Sequence, residues 1–193
     1  MKTLGFLVLW SIVGTVSLLM GCSSAAKMRY LNEPYATTDI KIPLTLTEME
    51  FVDNRADTSS RMVNIPRYTR LGQKDTVRQT LLPEHRSLLS DELRNRFTGE
   101  GTGVKAVVEI LEGDKCFEAG RMTEIELVKV RIGLTLLDGE HTPYFLKSNG
   151  EATYEIKSLD ARNEFLEKLY QKGLKAALYK CCEGISGTLD QMR

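Results

Sequence analysis

Residues 123–156 read TEIELVKVRIGLTLLDGEHTPYFLKSNGEATYEI, and the alternation in this stretch decides the fold. From Thr123 to Leu137, Glu126, Val128, Val130, Ile132, Leu134 and Leu136 fall on one face of an extended chain. Ile125 and Leu127 share the other face with Lys129, Arg131 and Thr135. A period of two over this length predicts one long strand. Asp138-Gly139 is a turn signal, and Glu140-His141 before Pro143 lengthens the connection beyond two residues. A return strand over about Tyr144–Ile156 follows, with Tyr144, Leu146, Ser148, Gly150, Ala152, Tyr154 and Ile156 in phase. One apolar and one charged face predict an antiparallel sheet covered by helices on one side only.

Outward from this hairpin, Val104, Ala106, Val108 and Ile110 mark the preceding strand, expected to close at Gly113-Asp114. Before it, Pro83 opens a helix at the position where its missing N–H is harmless. Leu82, Leu88, Leu89, Leu93 and Phe97 form its stripe, Glu84, Arg86, Asp91, Glu92, Arg94 and Arg96 face water, and Gly99 and Gly101 end it. The first strand covers Ile42–Val52, with a phase change near Thr47-Glu48 that predicts a bulge. After the hairpin, Asp160 is the expected N-cap of a last helix running to about Cys182. Its inward Gly173 suggests close approach to the sheet, and Gly184 and Gly187 suggest a frayed tail over 184–193. The expectation is thus an α+β domain at 41–183. It holds a mainly antiparallel sheet of about four strands, two helices on one face, and the order β-α-β-β-β-α.

Between the first strand and first helix, residues 53–81 are weakly periodic and rich in arginine: Arg55, Arg61, Arg67, Arg70 and Arg78. Short strands near Met62–Ile65 and Thr76–Val77 fit there. Connections of this length are usually functional or mobile. Those five arginines are the candidate partner or ligand surface.

The start of the chain has a different character. Met1 and Lys2 precede an uncharged apolar run from Leu4 to Met20, short for a spanning helix and ordered like a secretory signal. It ends Leu19-Met20-Gly21-Cys22, which resembles the lipobox of bacterial lipoprotein precursors. That resemblance implies cleavage of residues 1–21, recognition through Leu19, Met20 and Gly21, and lipid on Cys22. More than one acyl chain is needed for a stable anchor. Ser23, rather than Asp, implies the outer membrane under enterobacterial-type sorting. Residues 22–40 then read as the lipidated cysteine and a flexible tether. Beyond Lys2 the chain carries 25 basic and 26 acidic side chains. That balance lacks the basic bias of a nucleic-acid binder. No later apolar run reaches the length of a membrane span.

With Cys22 occupied, Cys116, Cys181 and Cys182 remain. One disulfide plus a thiol, a metal site, or small buried hydrophobes are the readings, and their spacing is not that of zinc ligands. Cys116, placed in a loop at one end of the sheet, stands far from a helix end carrying the vicinal pair. Three thiols are therefore expected.

The order of elements after a lipobox resembles the YajG-like family of bacterial outer-membrane lipoproteins and, more widely, small periplasmic α+β domains of the penicillin-binding-protein activator type. The residues that carry it are Asp53-Asn54-Arg55-Ala56-Asp57, the long strands around Asp138-Gly139, and the Tyr154 region running into Asp160. The family has no well-defined activity, so the resemblance implies a fold and a place. His85 and His141 show no spacing to a nucleophile and carboxylate. GxSxG, P-loop, dinucleotide and HExxH patterns are absent from the sequence. Gly99–Gly103 is glycine-rich but follows a helix and precedes a strand, the reverse of a phosphate cradle. The expectation is a non-catalytic accessory module without cofactor or metal, anchored to the outer membrane through Cys22, facing the periplasm and docking an envelope protein. The alternative is a small-ligand or lipid-binding protein using the arginine-rich 53–81 segment.

Overall fold

The computed structural model describes residues 39–68, 70–138 and 145–192. The leader, Cys22, the tether up to residue 38 and the 139–144 turn lie outside these residues. The described chain is α+β, as expected. It runs β1 (Thr45–Val52), β2 (Lys74–Arg78), α1 (Pro83–Arg94), β3 (Gly103–Ala119), β4 (Glu124–Asp138), β5 (Phe145–Ser158) and α2 (Asn163–Gln191).

The sheet order is β1-β3-β4-β5, with β2 also on β3. β1 runs parallel to the first half of β3, Thr45 opposite Gly103, and skips a residue between Leu46 and Glu48. The bulge expected near Thr47-Glu48 is there. β2 pairs antiparallel with the second half of β3, Lys74 opposite Glu118. The fifth strand is the segment around Thr76–Val77, whereas Met62–Ile65 is irregular.

β3 does not close at Gly113-Asp114. A bulge between Ile110 and Glu112 absorbs Leu111, and pairing with β4 continues to Ala119. The extra residue reverses the phase of the strand. Gly113, Lys115, Phe117 and Ala119 thereby join Val104, Ala106, Val108 and Ile110 on the buried face. Cys116 turns to the other face, where its Sγ accepts the Thr76 hydroxyl at 3.3 Å.

Both helices cover the apolar face. α2 lies along β4 and β5, burying Leu166, Leu169, Leu174, Ala177 and Cys181 among others. A Cβ on Gly173 would sit 3.1 Å from Val130 Cγ2, so this glycine does allow close approach. The nearer contact is on the sheet: a Cβ on Gly150 would overlap the carbonyl of Ala177. α2 continues past Gly184 and Gly187 instead of fraying, because Ile185 is fully buried on the same stripe. Its N-cap position is Arg162, not Asp160, whose carboxylate instead pairs with Arg162. α1 ends at Arg94 with Asn95 as C-cap, before Gly99. Glu92 and Arg96 do not face water. Arg96 lies over the Tyr179 ring, and Glu92 accepts from Arg96 and Lys175, tying α1 to α2. The outer sheet face is charged, with Lys105 bridging Glu48 and Glu50.

Candidate functional site

The polar side chains that the fold gathers lie where β1, β2 and β3 meet the N-terminal turns of both helices. Asp53 and Arg55 leave the end of β1 as a two-pronged ion pair: Nε to Oδ1 at 2.7 Å and Nη2 to Oδ2 at 2.8 Å. Arg55 also donates to the carbonyls of Gln79 at 2.7 Å and Gly113 at 3.4 Å, and the Leu81 N–H donates to Asp53 at 3.2 Å. Burial alone would raise the Asp53 carboxyl, but the hydrogen bond and charge of Arg55 bring it below its usual value. The acidic-x-Arg segment is a staple fastening the chain after β1 to the start of the helical layer. Arg55 is therefore not part of an open ligand surface.

Deeper in the layer, His85 is fully buried on α1. Its Nδ1 accepts the Leu82 N–H at 3.3 Å, and its Nε2 lies 2.8 Å from Glu167 Oε1 on α2. With Nδ1 an acceptor, Nε2 carries the hydrogen and donates. This back-bond from the third helical residue is the reciprocal half of a capping box, with histidine in the place of glutamate. Lys115 of β3 donates to the other oxygen of Glu167 at 2.8 Å, and Gln171 donates to Oε1 at 3.3 Å. Burial would raise the Glu167 carboxyl; the hydrogen bonds from His85 and Lys115, with the lysine charge, hold it at about 2. Tyr170 completes the group, edge-on to His85 with centroids 5.1 Å apart and its ring beneath the Lys115 ammonium at 5.3 Å. Its buried hydroxyl has no hydrogen-bond partner among the described residues, and burial raises its pKa.

Chemically this group is a clamp. Its carboxylate is too acidic for a general base near neutral pH, and both histidine nitrogens are engaged. His85, Lys115, Glu167 and Tyr170 were not singled out from sequence. One signal was present: a side chain able to bond backward, three residues after Leu82 and ahead of a helical stripe.

The other candidate arginines scatter. Arg61 grips Asp75 through two nitrogens, at 2.6 and 2.8 Å, lowering that carboxyl to about 2. Arg78 bonds the Ala56 carbonyl at 3.2 Å and lies 3.7 Å from Asp114. Arg67 and Arg70 are exposed near the far end of β2, Arg67 over the Tyr68 ring at 5.8 Å. The five do not form one site. His141, Leu19, Met20, Gly21 and Cys22 are outside the described residues.

No family model matches the chain, and no curated protein does. Among solved structures, it is similar to a Xanthomonas campestris protein of the family DUF330, at 11% identity and a TM-score of 0.45. That match covers 83% of this chain and 93% of the other. A Caulobacter crescentus protein thought to be a lipoprotein matches at 19% identity and a TM-score of 0.34, covering 56% and 79%.

Proposed function

We propose that this chain is a lipid-anchored bacterial envelope protein of the YajG-like kind that works by binding an envelope protein rather than by catalysis. The observation that carries the reading is Leu19-Met20-Gly21-Cys22 closing an apolar run behind a single positive charge. Cleavage before Cys22, lipid on that cysteine, the outer membrane and a periplasmic domain follow from it as one proposal. The packing supports binding over chemistry, because the titratable groups of the polar cluster already hold one another. Among the described residues no helix is long and apolar enough to cross a membrane. Ligand binding by the whole 53–81 segment is disfavoured, since Arg55, Arg61 and Arg78 serve internal pairs. The test is palmitate labelling and membrane fractionation of the native chain and Cys22→Ala. Label and membrane retention that both depend on Cys22 support the anchor. An unlabelled native chain in the soluble fraction overturns it. Crosslinking from intact membranes identifies the partner.

A further inference from the structure

Three turns of distant sequence meet at one end of the sheet. The Arg70–Gln73 turn is stitched to β3 by Gly72 N–H to Ala119 O at 2.9 Å and Ala119 N–H to Gln73 O at 2.8 Å. The β3–β4 turn closes beside it with Gly120 N–H to Thr123 O at 2.9 Å. One strand further, Ser158 pairs with Glu124, and Leu159 leads into α2. Met62 arrives at the same end, because the neighbouring Val63 carbonyl accepts the Asn163 side chain at 3.0 Å. Four strands at about 4.8 Å spacing make this rim roughly 15 Å wide.

Its tips are apolar and uncovered: Met62 is 71% exposed, Tyr68 82%, Leu71 67%, Met122 84% and Leu159 69%. Four of the six large hydrophobic side chains exposed in the described residues, Met62, Leu71, Met122 and Leu159, stand at this one end, and a fifth, Tyr68, lies two residues before the Arg70–Gln73 turn. Scattered singly they would need no explanation; gathered they do. The charges beside them do not balance. Asp75 is held by Arg61, Glu118 by Lys74, Asp160 by Arg162 and Glu164 by Lys168, while Glu124 accepts the Ala161 N–H and keeps its negative charge, one carboxylate against three arginines. Arg67, Arg70 and Arg121 are exposed and make no ion pair among the described residues. The chain enters the domain at the opposite sheet end, where β1 begins beside Gly103.

We infer that this rim is a docking surface for an anionic phospholipid bilayer. The apolar side chains sit on separate tips rather than in a groove, so each can enter a headgroup layer without a shaped partner. Tyrosine is at home at that depth, and the arginine stems can run beside it while their heads meet phosphate. The inference stands on described residues between 61 and 168 and is independent of lipid on Cys22.

The test uses the chain from Ser23 onward, which keeps the compact unit Pro34–Arg193 whole and lacks any anchor. Sedimentation is compared with vesicles of phosphatidylcholine alone and with about one-third phosphatidylglycerol. Binding to the anionic vesicles, weakened by salt, is expected. An arginine near such a surface contributes roughly fivefold, so Arg67→Gln, Arg70→Gln and Arg121→Gln together should cost on the order of a hundredfold. Leu71→Asp with Met122→Asp should also lower binding by at least about tenfold. All five positions are exposed, so an unchanged melting curve separates lost docking from lost fold. No anionic binding by the native chain overturns the inference, as does binding that both variants retain. An envelope protein whose crosslink is lost in the rim variants, without vesicle binding, would assign the rim to a protein instead.

Discussion

Lys115 in the middle of the sheet and Glu167 in the second turn of α2 meet at 2.8 Å, and His85 closes on the same carboxylate from α1. One acidic group thereby joins β3, α1 and α2.

That junction sets an acid limit on stability. The Glu167 carboxyl lies at about 2 in the folded chain, below its ordinary 4.5. A depressed folded value contributes stability that is complete above the unfolded value and is lost as pH falls from about 4.5 through 2. At full ionisation the difference is worth about 3 kcal/mol. Urea unfolding of the native chain should weaken across that window more steeply than that of Glu167→Gln, which starts less stable and changes less. Parallel curves would show that the carboxylate is not held as described.

Arg55→Ala should destabilise by about 3 kcal/mol, because it strands the nearly buried Asp53 carboxylate. Asp53→Asn added to Arg55→Ala should recover part of that loss. A double-mutant cycle by denaturant unfolding checks the coupling, and additive losses would contradict the staple.

Two glycines predict opposite outcomes. Gly150→Ala pushes a methyl into the backbone of α2, which has no flexible end to yield, and should cost at least about 3 kcal/mol. Gly187→Ala meets nothing within 4 Å in the same helix and should stabilise by about 0.5–1 kcal/mol. Thermal melts of the two variants decide this.

Cys116, Cys181 and Cys182 are free and buried. Burial pushes the thiols of both Cys181 and Cys182 up to about 12. Thiol reagents should leave the folded chain unmodified for hours near neutral pH and modify all three in urea. Non-reduced peptide mapping should find no link among them. The expected three thiols hold, but for another reason than loop placement. Cys116 faces away from α2 beside Leu127, whereas Cys181 donates to the Ile132 carbonyl on the opposite face. Five residues along β4 separate those levels by about 16 Å.

The long hairpin, both helices and the β1 bulge were legible because each rests on a local period that the sheet preserves. What misled was Gly113-Asp114, which reads locally as the end of the strand but lies just past a bulge within it. Read without Leu111, the alternation of Val104–Ile110 sends Cys116 inward and Lys115 to solvent; with it, Lys115 reaches Glu167. A bulge leaves little trace when the residues around it are as mixed as Glu109–Asp114. The extent of α2 was hidden for a similar reason: Gly184 and Gly187 are stop signals locally, and only the pocket for Ile185 overrides them. The arginines of 53–81 looked equivalent because their partners, Asp53, Asp75, Asp114 and the Gln79 carbonyl, are assigned by tertiary pairing.

The wiring of β3 also governs the timing of assembly. β1 and β2 pair with β3 and not with each other, so neither strand has its native strand partner until residues 103–119 are present. Native strand pairs that span 36 to 58 positions must wait on slow loop closure. As the chain emerges in order, β1 and β2 wait unpaired, and the sheet then assembles on β3.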